Sequence, residues 1–76
     1  SMRTIEGGIK VMGQVCTVLC DLSPHILGQA EIPSNGAPVR INVKAREGCS
    51  FTKGQSAIVL EHDKEKNVYI VSPFNE

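Results

Sequence analysis

Polar and apolar residues alternate with a period of two along much of this chain, and runs rich in Val and Ile are separated by Gly, Pro and Asn. That pattern predicts successive β-strands. The clearest run is Val39-Arg40-Ile41-Asn42-Val43-Lys44-Ala45-Arg46. Neighbouring side chains of a strand point to opposite sides, so Val39, Ile41, Val43 and Ala45 share the core face while Arg40, Asn42, Lys44 and Arg46 share the solvent face. Gly28-Gln29-Ala30-Glu31-Ile32 alternates likewise and turns Ala30 and Ile32 inward. Gln14-Val15-Cys16-Thr17-Val18-Leu19-Cys20 is apolar on both faces apart from Thr17 and reads as a well-buried strand. Ser56-Ala57-Ile58-Val59-Leu60-Glu61 reads as another buried strand, with Val68-Tyr69-Ile70-Val71 returning beside it. A short leader strand is expected at residues 9–11.

The segments between these runs carry turn chemistry. Residues 33–38 hold Asn35-Gly36 between two prolines, and Asn-Gly suits a hairpin turn because both residues tolerate positive φ. Residues 63–67 form a charged hairpin loop, and residues 47–54 a loop anchored by Phe51. Residues 21–27 form a connection in which Pro24 stops a central strand. No period of 3.6 persists along the chain, and the best helical candidate, residues 23–27, would give one turn. The prediction is therefore an all-β single domain. Five strands with apolar residues on both faces must curl, because an open sheet would expose them. The fold class expected is a small five-stranded OB-fold-like barrel over residues 13–74, preceded by a tag remnant and leader segment over residues 1–12.

Length and charge narrow the function. At 76 residues the chain is too short for two domains, a doubly wound α/β fold or a solenoid. Eight Lys and Arg balance eight Asp and Glu, which argues against a protein held to nucleic acid mainly by phosphate contacts. No apolar run reaches the ~20 residues of a membrane helix. Ser1 directly before Met2 reads as a residue left by tag cleavage, and the chain as a piece of something larger. Cys16, Cys20 and Cys49 are an odd count at loose spacing, which reads as reduced thiols used as small hydrophobes.

Catalytic, metal and cofactor sites find little support. Cys16, Cys20, Cys49, His25 and His62 contain zinc-ligand residue types, but Cys16 and Cys20 are expected inside a strand rather than on a ligand turn. No local motif pairs either histidine with a cysteine nucleophile. Lys64 within Glu61-His62-Asp63-Lys64 echoes the modified lysine of lipoyl and biotinyl carriers, yet only twelve residues follow it, too few for the second half of such a domain. No catalytic residue, metal ligand or cofactor is assigned. OB barrels commonly bind single strands through cations and stacking rings; Arg40, Lys44 and Arg46 would supply cations, with Tyr69 the ring available for stacking. Arg40, Asn42, Lys44 and Arg46 are the candidate interaction surface.

The run Gly13-Gln14-Val15-Cys16-Thr17-Val18-Leu19, then Gly28-Gln29-Ala30-Glu31-Ile32, Val39-Arg40-Ile41-Asn42-Val43-Lys44-Ala45, Lys53-Gly54-Gln55-Ser56-Ala57-Ile58-Val59-Leu60 and Asn67-Val68-Tyr69-Ile70-Val71-Ser72-Pro73 resembles the C-terminal soluble domain of NfeD-like bacterial membrane proteins, nearest the YqiJ-like OB-fold subgroup. Met12-Gly13 and Lys53-Gly54 are its most telling parts. The resemblance implies a non-enzymatic OB barrel carried by transmembrane helices of a parent protein in the bacterial inner membrane, on the cytoplasmic side. It further implies protein–protein contact or homo-oligomer formation there, with a flotillin- or stomatin-like (SPFH) scaffold as partner. The alternative expectation is a free-standing OB domain that binds single-stranded nucleic acid.

Overall fold

The computed structural model describes residues 5–6 and 9–75. The tag remnant expected at Ser1 lies outside the described residues. Seven strands are present among the described ones: β1 (Ile5–Glu6), β2 (Ile9–Lys10), β3 (Val15–Val18), β4 (Gly28–Ile32), β5 (Val39–Ala45), β6 (Ser56–Asp63) and β7 (Val68–Pro73). β1 and β2 pair as a two-stranded antiparallel ribbon, and the other five close into a barrel in the order β3-β4-β5-β7-β6. The leader expected at residues 9–11 is thus β2 followed by Val11, which is completely buried in the core.

The barrel closes because β3 has a partner on each side. Thr17 and Val18 pair with Glu31 and Ala30 of β4, while Val15, Cys16 and Thr17 pair with Ile58, Ala57 and Ser56 of β6. The one parallel contact joins β5 to β7 through Val43↔Tyr69, Lys44↔Ile70 and Ala45↔Val71. Closure gives each of the five strands a neighbour on both sides, which shortens the edges open to edge-to-edge association. Inside, Val18, Ala30, Ile32, Ile41, Val43, Ala45, Ala57, Val59, Tyr69 and Val71 form the core with Val11, Cys16, Leu22 and Phe51. Burying a Val, Leu, Ile or Phe side chain contributes roughly 1.5–3 kcal/mol, and most of these residues are β-branched or aromatic, which suits a pleated wall.

The alternation of β4 and β5 appears as expected, with Ala30, Ile32, Ile41, Val43 and Ala45 inside. β3 departs from expectation. It ends at Val18, and Val15 and Thr17 are exposed while Cys16 and Val18 are buried. A single-layer wall has water outside it, so an apolar outward residue remains on the surface. Val15 sits opposite Ile58, and the two β-branched side chains cover part of each other.

Two connections also differ from expectation. Residues 33–38 do join β4 to β5 as a hairpin, but neither Asn35 nor Gly36 adopts positive φ. The loop is closed instead by Ser34 Oγ donating to Ala37 O at 2.6 Å. Residues 21–27 form no helical turn: Ser23 and Ile26 exchange backbone hydrogen bonds of 3.2 and 3.3 Å around a tight turn at Pro24 and His25. Phe51 anchors its loop as expected, pairing with Leu22 through two 3.0 Å backbone bonds. Gly13 has φ +80, open to glycine without strain, and its N–H donates to Val59 O at 2.9 Å, tying the entry of the barrel to β6.

Candidate functional site

The four residues of the expected interaction surface stand on the outer side of β5 and just past its end, and the structure divides them into two pairs. Arg40 and Asn42 are engaged with β4. Arg40 Nη2 donates to Glu31 Oε2 at 2.9 Å, and Gln29 Nε2 donates to Asn42 Oδ1 at 3.3 Å. Both are cross-strand pairs fixed by the register Glu31↔Arg40 and Gln29↔Asn42. The Arg40 side chain is 58% exposed and that of Glu31 31%, so the ion pair is worth at most about 1 kcal/mol. Its effect here is to neutralise one of the three cations on this strand face.

Lys44 and Arg46 have a different setting. They line an open groove of about 440 Å³ together with Glu47, Leu60, Glu61 and Ile70. Ile70 of β7 is flanked in register by Lys44 of β5 on one side and Glu61 of β6 on the other. Leu60 faces outward by the alternation of β6, in which Ala57 and Val59 point inward, and the β6–β7 register shift between Val59 and Glu61 exposes Glu61 beside it. Such a bulge adds one residue to its strand and breaks the inward–outward alternation. Val59 is 1% exposed and Leu60 42%. The result is an aliphatic floor with Lys44 and Arg46 on the β5 bank, Glu47 next to them in the chain, and Glu61 on the β6 bank. Among the described residues the one ion pair joins Arg40 and Glu31, so the charges of this groove stand unpaired.

Sequence reasoning picked out Lys44 and Arg46 but missed Glu47, Leu60, Glu61 and Ile70. Leu60 read as buried although it alternates outward with Val59 inward, and the bulge that adds Glu61 to its face follows from the pairing of β6 with β7. The Lys53-Gly54 step and the charged turn at residues 63–67 lie apart from this groove. In that turn Asn67 adopts φ 53, Lys66 N–H donates to Asp63 Oδ1 at 3.2 Å, and His62 Nε2 bonds Asn67 Oδ1 at 2.9 Å. The His62 ring stacks on Tyr69 with centroids 4.0 Å apart and planes 9° apart.

That stack corrects the expectation for Tyr69. The ring is 1% exposed and belongs to the core, so it is closed to a nucleic-acid base. Phe51 is buried as well and Phe74 is half-buried. The three thiols are free. Burial pushes the Cys16 thiol up to about 11, which keeps it protonated and unreactive at neutral pH. Cys20 lies beyond the end of β3, not within it as expected. Among the described residues no group of three His, Cys, Asp or Glu side chains could hold a metal ion, and no helix is long and apolar enough to cross a membrane.

These features define a closed, mixed five-stranded barrel of the OB type that carries an open groove on its outer wall. The same fold occurs in the soluble domain of the NfeD protein YuaF from Bacillus subtilis, with a TM-score of 0.69 and 16% identity over 84% of this chain and 74% of that one. It occurs also in the C-terminal domain of stomatin operon partner protein 1510-C from Pyrococcus horikoshii, with a TM-score of 0.68 and 20% identity over 97% of this chain and 100% of that one. The NfeD resemblance seen in the sequence is thus met by the structure of the barrel. No family model and no curated protein matches the chain.

Proposed function

We propose that this chain is a non-catalytic OB-type module of an NfeD-like membrane protein, acting through protein–protein contact or self-association beside the membrane. The parent's transmembrane helices would hold the barrel at the cytoplasmic face of a bacterial inner membrane, and a stomatin- or flotillin-like (SPFH) scaffold would be its partner. The observation that carries this reading is the end-to-end likeness to the stomatin operon partner domain, at a TM-score of 0.68 over 97% of the chain. The outer wall supports it too: each barrel strand already has a neighbour on both sides, so recognition falls mainly to side chains on the faces.

The alternative, single-strand binding, needs stacking rings and a cationic track. Tyr69 is buried, Arg40 is paired with Glu31, and the chain carries no net charge. The experiment is a titration of the chain against a single-stranded oligonucleotide at low salt, and in parallel against a purified stomatin-type protein. Saturable binding to the protein and none to the oligonucleotide is the expected result. Oligonucleotide affinity that falls linearly in log–log form with salt would overturn the proposal.

A further inference from the structure

The groove between β5 and β6 has charges that complement their own image. Lys44 and Arg46 lie toward β5, Glu47 and Glu61 complete the rim, and Leu60 and Ile70 supply the floor. Lys44 and Glu61 sit in register on opposite sides of Ile70. A two-fold axis lying in the interface, parallel to β7 and passing over Ile70, would bring Lys44 of one copy against Glu61 of the other and repeat the same contact in reverse. An isologous interface requires this kind of self-complementarity. A partner of uniform charge would satisfy one bank of the groove and oppose the other. The half-buried Ile70 would meet its counterpart on the axis, and the exposed Leu60 of each copy would lie over the other's β5 bank and leave water.

From this we infer that the groove of Lys44, Arg46, Leu60, Glu61 and Ile70 docks a second copy of this chain, giving a two-fold homodimer. The inference rests on the protein-contact reading above but needs neither the membrane nor the scaffold. The interface is small. Standard interfaces engage ~20–30 residues a side, against six main lining side chains here. The isolated chain therefore dimerises weakly, with a Kd on the order of 0.1–1 mM. Weak contacts of this size become effective when tethering raises the local concentration to the millimolar range, as on a membrane-held parent.

The test is sedimentation equilibrium of the whole chain up to about 2 mM, well above the expected Kd, with parallel amide chemical-shift mapping across the dilution. Lys44→Glu alone and Glu61→Lys alone each turn two attractive contacts into repulsive ones, and each should weaken dimerisation about tenfold or more. An equimolar mixture of the two variants should recover a heterodimer, because the reversed charges then face each other. Lys66→Glu makes the same net-charge change as Lys44→Glu but lies on the β6–β7 turn away from the groove lining, and should leave the Kd unchanged. Thermal melts of each variant separate loss of folding from loss of docking. A chain that stays monomeric throughout would overturn the inference, as would single variants that dimerise like the parent or a mixture that does not recover. A monomer that still binds a stomatin-type protein overturns the dimer and leaves the protein-contact reading standing. A monomer that binds only a single-stranded oligonucleotide overturns both.

Discussion

Replacing Gly28 with alanine tests the packing at the β3–β4 end of the barrel. Gly28 opens β4 opposite Val43, and its φ lies outside the left-handed region, so alanine meets no backbone strain there. The obstacle is space. A Cβ at this position would run into the Cys20 sulfur and come within 2.6 Å of Leu22 Cδ2. Cys20 is half-buried and can turn aside, but Leu22 is 3% exposed and held by its bridge to Phe51. Inserting a methyl into such a site costs about 1–3 kcal/mol, offset by the ~0.4–1 kcal/mol gained when alanine restricts the unfolded chain. The net loss expected is about 1–2 kcal/mol, or a fall in Tm of about 4–16 °C for a domain of this size. Urea and thermal unfolding followed by far-UV circular dichroism measure it. Gly36→Ala is the control: no atom lies within 4 Å of its Cβ position and its φ is ordinary, so stability should hold or rise slightly. Adding Cys20→Ala to Gly28→Ala should recover part of the loss, with a coupling of about 0.5 kcal/mol or more. Gly28→Ala melting within about 2 °C of the parent would refute the packing argument, since even ~0.5 kcal/mol moves Tm by that much.

Further outcomes follow from the other sites. Asn67 needs φ 53 and accepts a bond from His62, so Asn67→Ala should cost about 1–2 kcal/mol and Asn67→Gly, which keeps the backbone and loses only the bond, clearly less in urea unfolding. The Glu31–Arg40 pair is largely exposed, and a double-alanine cycle should give a coupling of about 0.2–1 kcal/mol that shrinks in high salt. Cys16 is 1% exposed while Cys20 and Cys49 are half-buried, so mass spectrometry after brief alkylation at pH 8 should find Cys16 unmodified until the chain is unfolded. Its thiol titrates near 9.0 unfolded and about 11 folded, so the unfolded state loses its proton first. Stability should therefore be untouched by this group below about pH 9 and fall as pH rises from there toward 11, and Cys16→Ser should lose that part of the alkaline slope.

Most of the barrel could be read from the chain because a one-layer wall imposes a simple rule. β5 alternates from Val39 to Ala45 since every second residue faces a core and the others face water. The rule fails where an outward position is apolar. Val15 belongs to an exposed face although nothing in its own run says so; it is the neighbour Ile58, brought alongside by pairing, that accounts for it. Leu60 is the same problem, an apolar residue at an outward position, and the exposure of Glu61 next to it comes from a bulge that depends on how β6 meets β7 and not on the composition of either. The candidate surface was half legible for the same reason. Charge on β5 is visible in sequence, but the partners that tie Arg40 and Asn42 down come from β4 through register. Tyr69 was misread because a lone tyrosine can anchor a core or stack on a ligand, and the parallel β5–β7 contact decides for the core.

The central claim, recognition of protein rather than nucleic acid, is tested most directly by amide chemical shifts of the isotopically labelled chain. One titration adds a purified stomatin-type scaffold domain and the other a single-stranded oligonucleotide at low salt. The expected result is saturable shifts on the outer wall with the scaffold and none with the oligonucleotide. Saturable shifts along the outer face of β4 and β5 with the oligonucleotide, and none with the scaffold, would contradict it.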